Sequence, residues 1–206
     1  MRVIEIFDSL QGEGAWAGVP TAFVRFAGCN AADLGLGCTA WCDTEHSWDP
    51  EGGHEMSPAE VAAALASSAL RRVCLTGGEP LLQGEEFALL VTLLQDRGLT
   101  VHVETNGTLD LPGGVRPGWV TVSPKPPHYV VSPGLTGAVD EIKVVVDEAF
   151  RADVVEGLSR DHPTAVVSLQ PEWSRFRETA AEATAAAMAH PDWRVSLQLH
   201  KVLGIR

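Results

Sequence analysis

The chain has 206 residues, 45% of them hydrophobic and 20% charged, which suits one globular domain with a full core and argues against disorder. Twenty-seven acidic against fifteen basic residues give a net charge of −12; so acidic a surface repels phosphate backbones and makes nucleic acid a poor partner, while a small anionic substrate in a local positive pocket stays possible. No apolar run nears the roughly 20 residues of a membrane span, and the start, MRVIEIFDSLQGEG, lacks a signal-peptide pattern, so a cytoplasmic chain with reduced thiols is expected.

Residues 2–7 (RVIEIF) alternate polar and apolar and predict a strand, followed by a turn at LQGEG (10–14). TAFVRFAG (21–28) predicts a second strand, on which Arg25 points away from the face of Val24 and Phe26. An irregular, cysteine-bearing loop runs from 28 to about 55. Ser57-Pro58-Ala59-Glu60 has the residues of a capping box, with Pro58 at the first helical position of a helix reaching about Leu70. RVCLTGGEP (72–80) is a strand stopped by two glycines. Over 85–97, Phe87, Leu90, Val91 and Leu94 share one helical face, and Gly98 is the stop. Strand then turn is expected at 100–107, strand then proline-rich loop at 119–127, a strand at 140–146 and a helix at 148–159. A strand at 164–171, a helix at 174–189, and a last strand with a short tail complete the chain.

Alternating strands and helices predict parallel α/β units, whose ligand sites gather at the carboxyl ends of the strands. LQGEG, the cysteine loop, TGGEP, ETNG, SPK, QP and HKVLGIR all fall at such ends. Cys29, Cys38 and Cys42 can hold three irons of a 4Fe-4S cluster and leave the fourth iron open to a ligand. Taken alone they favour a cluster over the two alternatives, a zinc site, with Asp43 and His46 near in sequence, or plain reduced thiols. In TGGEP the glycines permit close approach of a ligand, and Glu79 can accept from an amine; a tight turn with a capping acid is the alternative. The lysine and Ser/Thr of a phosphate-binding loop are missing. Cys74, inside an apolar strand, is expected to be a small core residue.

The cysteine loop and TGGEP together, in an α/β chain, resemble the radical S-adenosylmethionine superfamily. LQGEG (10–14), FVRFAGCN (23–30), WCDT (41–44), VETNG (103–107), SPK (123–125), EIKVV (141–145), LQP (169–171) and QLHKVLGIR (198–206), in that order, resemble the 7-carboxy-7-deazaguanine synthase family. The resemblance implies an α/β fold, an abbreviated, incomplete (β/α) barrel forming a single domain over 1–206. It implies conversion of 6-carboxy-5,6,7,8-tetrahydropterin to 7-carboxy-7-deazaguanine and ammonia, in 7-deazapurine or queuosine-type biosynthesis, through a 5′-deoxyadenosyl radical. Implied cofactors are a 4Fe-4S cluster, S-adenosylmethionine and Mg2+; implied partners are a flavodoxin or ferredoxin as electron donor and a second copy in a homodimer.

Carried over by motif, Cys29, Cys38 and Cys42 hold the cluster and Thr44 the magnesium. Asp43, Gly78, Glu79, Glu104, Ser123, Lys125 and Gln170 fall to S-adenosylmethionine. Leu10 (through its backbone), Gln11, Gly12, Glu13, Arg25, Thr76, His200 and Arg206 fall to the pterin. The cysteine spacing departs from the superfamily's C-x3-C-x2-C: here it is C-x8-C-x3-C, and the extra residue of the second gap is expected to bulge at Thr39 or Ala40. Glu172-Trp173 also differs from the family and is left without a role. Two other readings compete: a different radical S-adenosylmethionine enzyme, such as an activating enzyme, against which LQGEG and the HK tail argue; and a non-catalytic zinc- or cluster-binding module.

Overall fold

The computed structural model describes residues 1–206. Nine strands form one sheet: β1 (Arg2–Leu10), β2 (Pro20–Phe26), β3 (His54–Glu55), β4 (Arg72–Gly77), β5 (Thr100–Thr105), β6 (Trp119–Val122), β7 (Glu141–Val146), β8 (Val166–Pro171) and β9 (Trp193–Val195). Their order is β3-β1-β2-β4-β5-β6-β7-β8-β9, with β3 and β9 as free edges, so the barrel is incomplete as expected. From β2 to β9 every neighbouring pair is parallel. β1 pairs antiparallel with both β2 and β3.

Five α-helices accompany the sheet: α1 (Pro58–Leu65), α2 (Glu85–Asp96), α3 (Ala152–Asp161), α4 (Phe176–Ala189) and α5 (Leu199–Leu203). The capping box of α1 forms, with Ser57 and Glu60 exchanging side-chain to backbone bonds. α1 stops at Leu65, short of Leu70, where Ser67 and Ser68 bond the local backbone instead. α3 starts at Ala152, four residues later than expected, because Asp147 first holds a turn by accepting from the Ala149 N–H. α5 lies where a plain tail was expected. Strict strand–helix alternation also fails between β5 and β7, where loops replace helices. Pro112 and Pro117, then Pro124, Pro126, Pro127 and Pro133, cannot continue a helix. No helix is long and apolar enough to cross a membrane.

The sheet has two unlike faces. On the outer one, Val24, Val73, Leu75, Val101 and Val103 pack with Val61, Leu65, Phe87, Leu90 and Leu94 of α1 and α2. Val120, Val122, Ile142, Val144, Val167 and Leu169 form a second apolar cluster with Val155 of α3 and Ala183 of α4. The alternate residues of the same strands face inward and are polar: Cys74 and Thr76, His102 and Glu104, Thr121, Glu141 and Lys143, Ser168 and Gln170.

A lower inward layer is closed by hydrogen bonds. His102 Nε2 meets Thr121 Oγ1 at 2.9 Å, and Glu141 accepts from Thr121 (3.1 Å) and Ser168 (2.5 Å). Glu141 also takes the Ala15 N–H at 2.9 Å, fixing the short 3-10 turn Gly14–Trp16 at the amino ends of the strands. There Trp16 packs edge-on against Trp119, and the Arg72 guanidinium stacks over its ring. The upper layer opens into the cavity described next.

Candidate active site

β2 ends at Phe26, and the chain turns at Gly28, whose φ of +91° favours glycine. Gly28 donates to the Ser47 carbonyl at 2.8 Å and accepts from the Glu79 N–H at 2.8 Å, so the cysteine loop and TGGEP are pinned to each other. A Cβ on Gly78 would collide with backbone atoms of Gly28 and Ser47, and one on Gly77 with the backbone of Phe26. These glycines therefore admit a neighbouring loop of the same chain. Glu79 is fully buried, and its carboxylate accepts from Leu81 N (3.0 Å), Asn106 N (2.7 Å) and Thr105 Oγ1 (2.8 Å). Burial pushes its pKa up against the pull of those donors. Its side chain does not reach the cavity; it knits the carboxyl ends of β4 and β5.

The unusual cysteine spacing has a simple local form. Residues 31–35 make a turn from which Ala31 and Leu36 pack on Cys38. Gly37–Ala40 is one 3-10 turn that takes up Thr39 and Ala40, closed by Trp41 N–H to the Cys38 carbonyl at 3.1 Å. Two outside bonds hold it: Gly37 N–H to the Pro126 carbonyl (2.7 Å) and Trp41 Nε1 to Asp147 (2.8 Å). All four cysteines are free thiols. Cys29, Cys38 and Cys42 face one cavity of about 660 Å³. Burial pushes the Cys29 thiol up to about 11, helped by Glu79 and the other two thiols, and raises Cys38 as well. Soft donors that stay protonated until a cation arrives, grouped at one wall, fit a metal cluster. Cys74 instead lies buried beside His102 and Glu104; the Lys143 ammonium on Glu104 makes that group an ion-paired interior and not a cation site.

The other expected residues line the same cavity with two exceptions, Glu79 and Gly12. Gly12 is covered by the His200 ring, which a Cβ there would strike, while its carbonyl accepts the Leu199 N–H at 2.8 Å. Thr44 Oγ1 lies 3.4 Å from Cys42 Sγ. Lys125 donates to Ser123 Oγ at 2.7 Å and sits over the Trp41 ring, and burial lowers its pKa. Arg25 bonds Glu5 through Nε at 2.8 Å, and Arg206 ion-pairs with the same carboxylate. Asp43 is held by Lys201 at 2.6 Å and Gln198 at 3.2 Å, tying α5 to the cysteine loop. Glu104, given to the cofactor by motif, stands among substrate-assigned groups: Gln11 Nε2 donates to it at 3.1 Å and Thr76 Oγ1 at 3.2 Å.

Among the cavity residues left without a role by the sequence reading, two bond directly to its assigned carboxylate Glu13. Lys143 on β7 donates to Glu13 at 2.5 Å and Glu104 at 3.3 Å. A lysine between Ile142 and Val144 in the strand EIKVV was the available signal. Gln198 bonds Glu13 at 2.8 Å; it opens the QLHKVLGIR motif but has no assigned role of its own.

An open parallel barrel with three thiols and a glycine turn at its carboxyl end defines a class, and the radical SAM superfamily profile matches residues 26–119. Relatives extend the likeness over the whole chain. The 7-carboxy-7-deazaguanine synthases of Bradyrhizobium diazoefficiens and Bacteroides thetaiotaomicron are each 40% identical, covering 99% and 100% of this chain and 98% of their own lengths. That of Synechocystis is 35% identical, covering 99% of this chain and 93% of its own. The crystal structure of QueE from Escherichia coli superposes with a TM-score of 0.79 at 29% identity, over 97% of this chain and 94% of that one. The chain belongs to the 7-carboxy-7-deazaguanine synthase family.

Proposed function

We propose that the chain is a radical S-adenosylmethionine enzyme, a carbon–nitrogen lyase that contracts 6-carboxy-5,6,7,8-tetrahydropterin to 7-carboxy-7-deazaguanine and ammonia. One observation carries this reading: three free thiols and a hydrogen-bonding basin of Gln11, Glu13, Thr76 and Glu104 open on the same cavity. A 4Fe-4S cluster on the thiolates, with S-adenosylmethionine on its open iron, supplies when bound the radical that takes a hydrogen atom from the substrate.

The chain's own groups bind and orient. Gln11, Glu13 and Glu104 offer acceptors to the N–H edge of the pterin, and Thr76 buttresses Glu104. Leu10 adds a wall. Arg25 meets the substrate carboxylate with the fork left by its Nε bond to Glu5. Thr44 presents a hydroxyl for Mg2+, which favours oxygen ligands. Gly78, Asp43, Ser123, Lys125 and Gln170 are the S-adenosylmethionine contacts, while Glu79 acts by shaping the turn. His200 and Arg206 cover the pterin and keep water out.

A flavodoxin or ferredoxin is the electron donor, and the reducing cytoplasm suits four free cysteines. Homodimer formation is supported by exposed Val195, Leu197, Val202 and Leu203 beside the open edge of β9.

The test is an anaerobic assay. Reconstituted protein with reductant, S-adenosylmethionine, Mg2+ and the carboxytetrahydropterin should release the deazaguanine acid. Reductive cleavage of S-adenosylmethionine without that product would leave the superfamily standing and remove the substrate. A colourless protein holding one tight zinc ion would remove both.

A further inference from the structure

The residues assigned to the substrate leave unexplained the cation at their centre. Lys143 is 5% exposed, midway along β7, and its neighbours Ile142 and Val144 are locked in the outer core. Its ammonium touches two carboxylates from distant parts of the chain, Glu13 at 2.5 Å and Glu104 at 3.3 Å. Each carboxylate has a further donor: Gln198 for Glu13, Gln11 and Thr76 for Glu104.

The surrounding charges are engaged elsewhere. Glu141, two residues below on β7, is bonded to Thr121, Ser168 and the Ala15 N–H. Lys125 is on Ser123, Arg25 on Glu5, and Asp43 on Lys201. His102, under Glu104 on β5, is bonded to Thr121, and Cys74 on β4 receives the Gln11 amide at 3.9 Å.

We infer that Lys143 is a positioning residue for substrate recognition: it holds Glu13 and Glu104 together as two acceptor-only carboxylates facing the N–H edge of the bound ring. This deepens the pterin reading above and rests on it. Two carboxylates on one nitrogen, with that nitrogen removed, repel each other and share a proton. A shared proton turns one acceptor into a donor, which opposes the N–H groups it should receive. Burial by itself would raise Glu104, yet Lys143 pulls it down to about 2 and holds Glu13 below its usual value. Reciprocally, burial disfavours the ammonium, and Glu104 and Glu13 overcome that and raise its pKa.

The experiment measures binding of 6-carboxypterin, an oxidised ring that does not turn over, by calorimetry on reconstituted protein. Wild-type affinity should change less than about threefold between about pH 5.5 and 8, because neither carboxylate titrates there. Lys143→Gln should bind about tenfold or more weakly near pH 6 and recover as the pH rises and the shared proton leaves. Lys143→Arg, which keeps the charge, should restore the flat profile. Wild-type affinity and a flat profile in Lys143→Gln would overturn the inference.

A second measurement needs neither a folded Lys143 variant nor the ligand. In isotope-edited infrared difference spectra, wild type minus Glu104→Gln, the Glu104 carboxylate band should persist down to about pH 4. A protonated carboxyl band near pH 6 would refute the role of Lys143. Failure of the wild type to bind 6-carboxypterin, by contrast, would strike the pterin reading and leave the infrared result to decide the ionisation.

Discussion

Glu79 and Glu104 sit at the carboxyl ends of adjacent strands and meet burial in opposite ways. Glu79 is sealed off and held by two backbone N–H groups and a hydroxyl; its pKa rises. Glu104 keeps a fifth of its side chain open to the cavity and is held by an amide, a hydroxyl and an ammonium; its pKa falls. Neutral donors confined to the chain's own turns make a structural knot. A buried cation makes a charged acceptor that a ligand can use. Both residues come from motifs tied to the cofactor, and their surroundings separate building from binding.

The largest expected effect is on the building side. Gly78→Ala drives a Cβ into backbone atoms of Gly28 and Ser47, none of which can rotate away. A loss of about 3 kcal/mol or more is expected, seen as a collapsed denaturation midpoint or insoluble protein; near-native stability would show that the two loops are not interlocked.

The layer under Glu104 comes next. Burial lowers His102 to about 4, from 6.5 in the unfolded chain. A depressed pKa means that its contribution is complete above 6.5 and is lost as the pH falls toward 4. Unfolding free energy should drop by about 3 kcal/mol across that window, and His102→Gln should flatten the slope. Glu104, depressed to about 2, keeps its contribution in full above about 4.5 and loses it only as the pH falls below that, so the two windows are separable.

The comparison is then drawn directly. Glu104→Gln should lower kcat/KM about a hundredfold, about 2.7 kcal/mol of transition-state stabilisation, with little change in melting temperature. Glu79→Gln should cost about 1–2 kcal/mol of stability, since an amide NH2 must replace an acceptor oxygen in a sealed site, while 6-carboxypterin affinity moves less than about threefold. An exchange of these phenotypes would reverse the assignment of roles. The smallest effect belongs to the surface: Lys201→Ala breaks a half-exposed pair with Asp43 and should change stability by less than about 1 kcal/mol.

Much of this was legible in the sequence, for identifiable reasons. The period-two alternation of β4 through β8 records the polar inner and apolar outer faces, and the capping box of α1 fixes a helix start to the residue. The site motifs are short and local, so their gathering at the carboxyl ends of the strands could be read for all but LQGEG, which the antiparallel β1 delivers at the amino ends of the parallel strands. What could not be read is long-range. The Glu13–Gln198 bond and the covering of Gly12 by His200 join opposite ends of the chain. The inward role of Lys143 depends on which face of β7 meets the cavity. Glu79 was legible as a capping acid, but only the packing of β5 beside it shows its carboxylate to be fully spoken for.

The division between the sheet's faces bears on how the molecule comes together. Both apolar clusters lie on the outer face and are served largely by strand–helix–strand segments close in sequence, whose loop-closure entropy is small. The cavity is completed by contacts spanning nearly the whole chain: Gln198 to Glu13 across 185 residues, Ser9 to Arg206 across 197. The shell can therefore condense first and the basin last. On mild denaturation the order reverses: α5 and the turn at residues 11–14 that it bonds should lose hydrogen-exchange protection while β4 through β8 remain protected, so a chain can keep its architecture and its thiols and yet have no site.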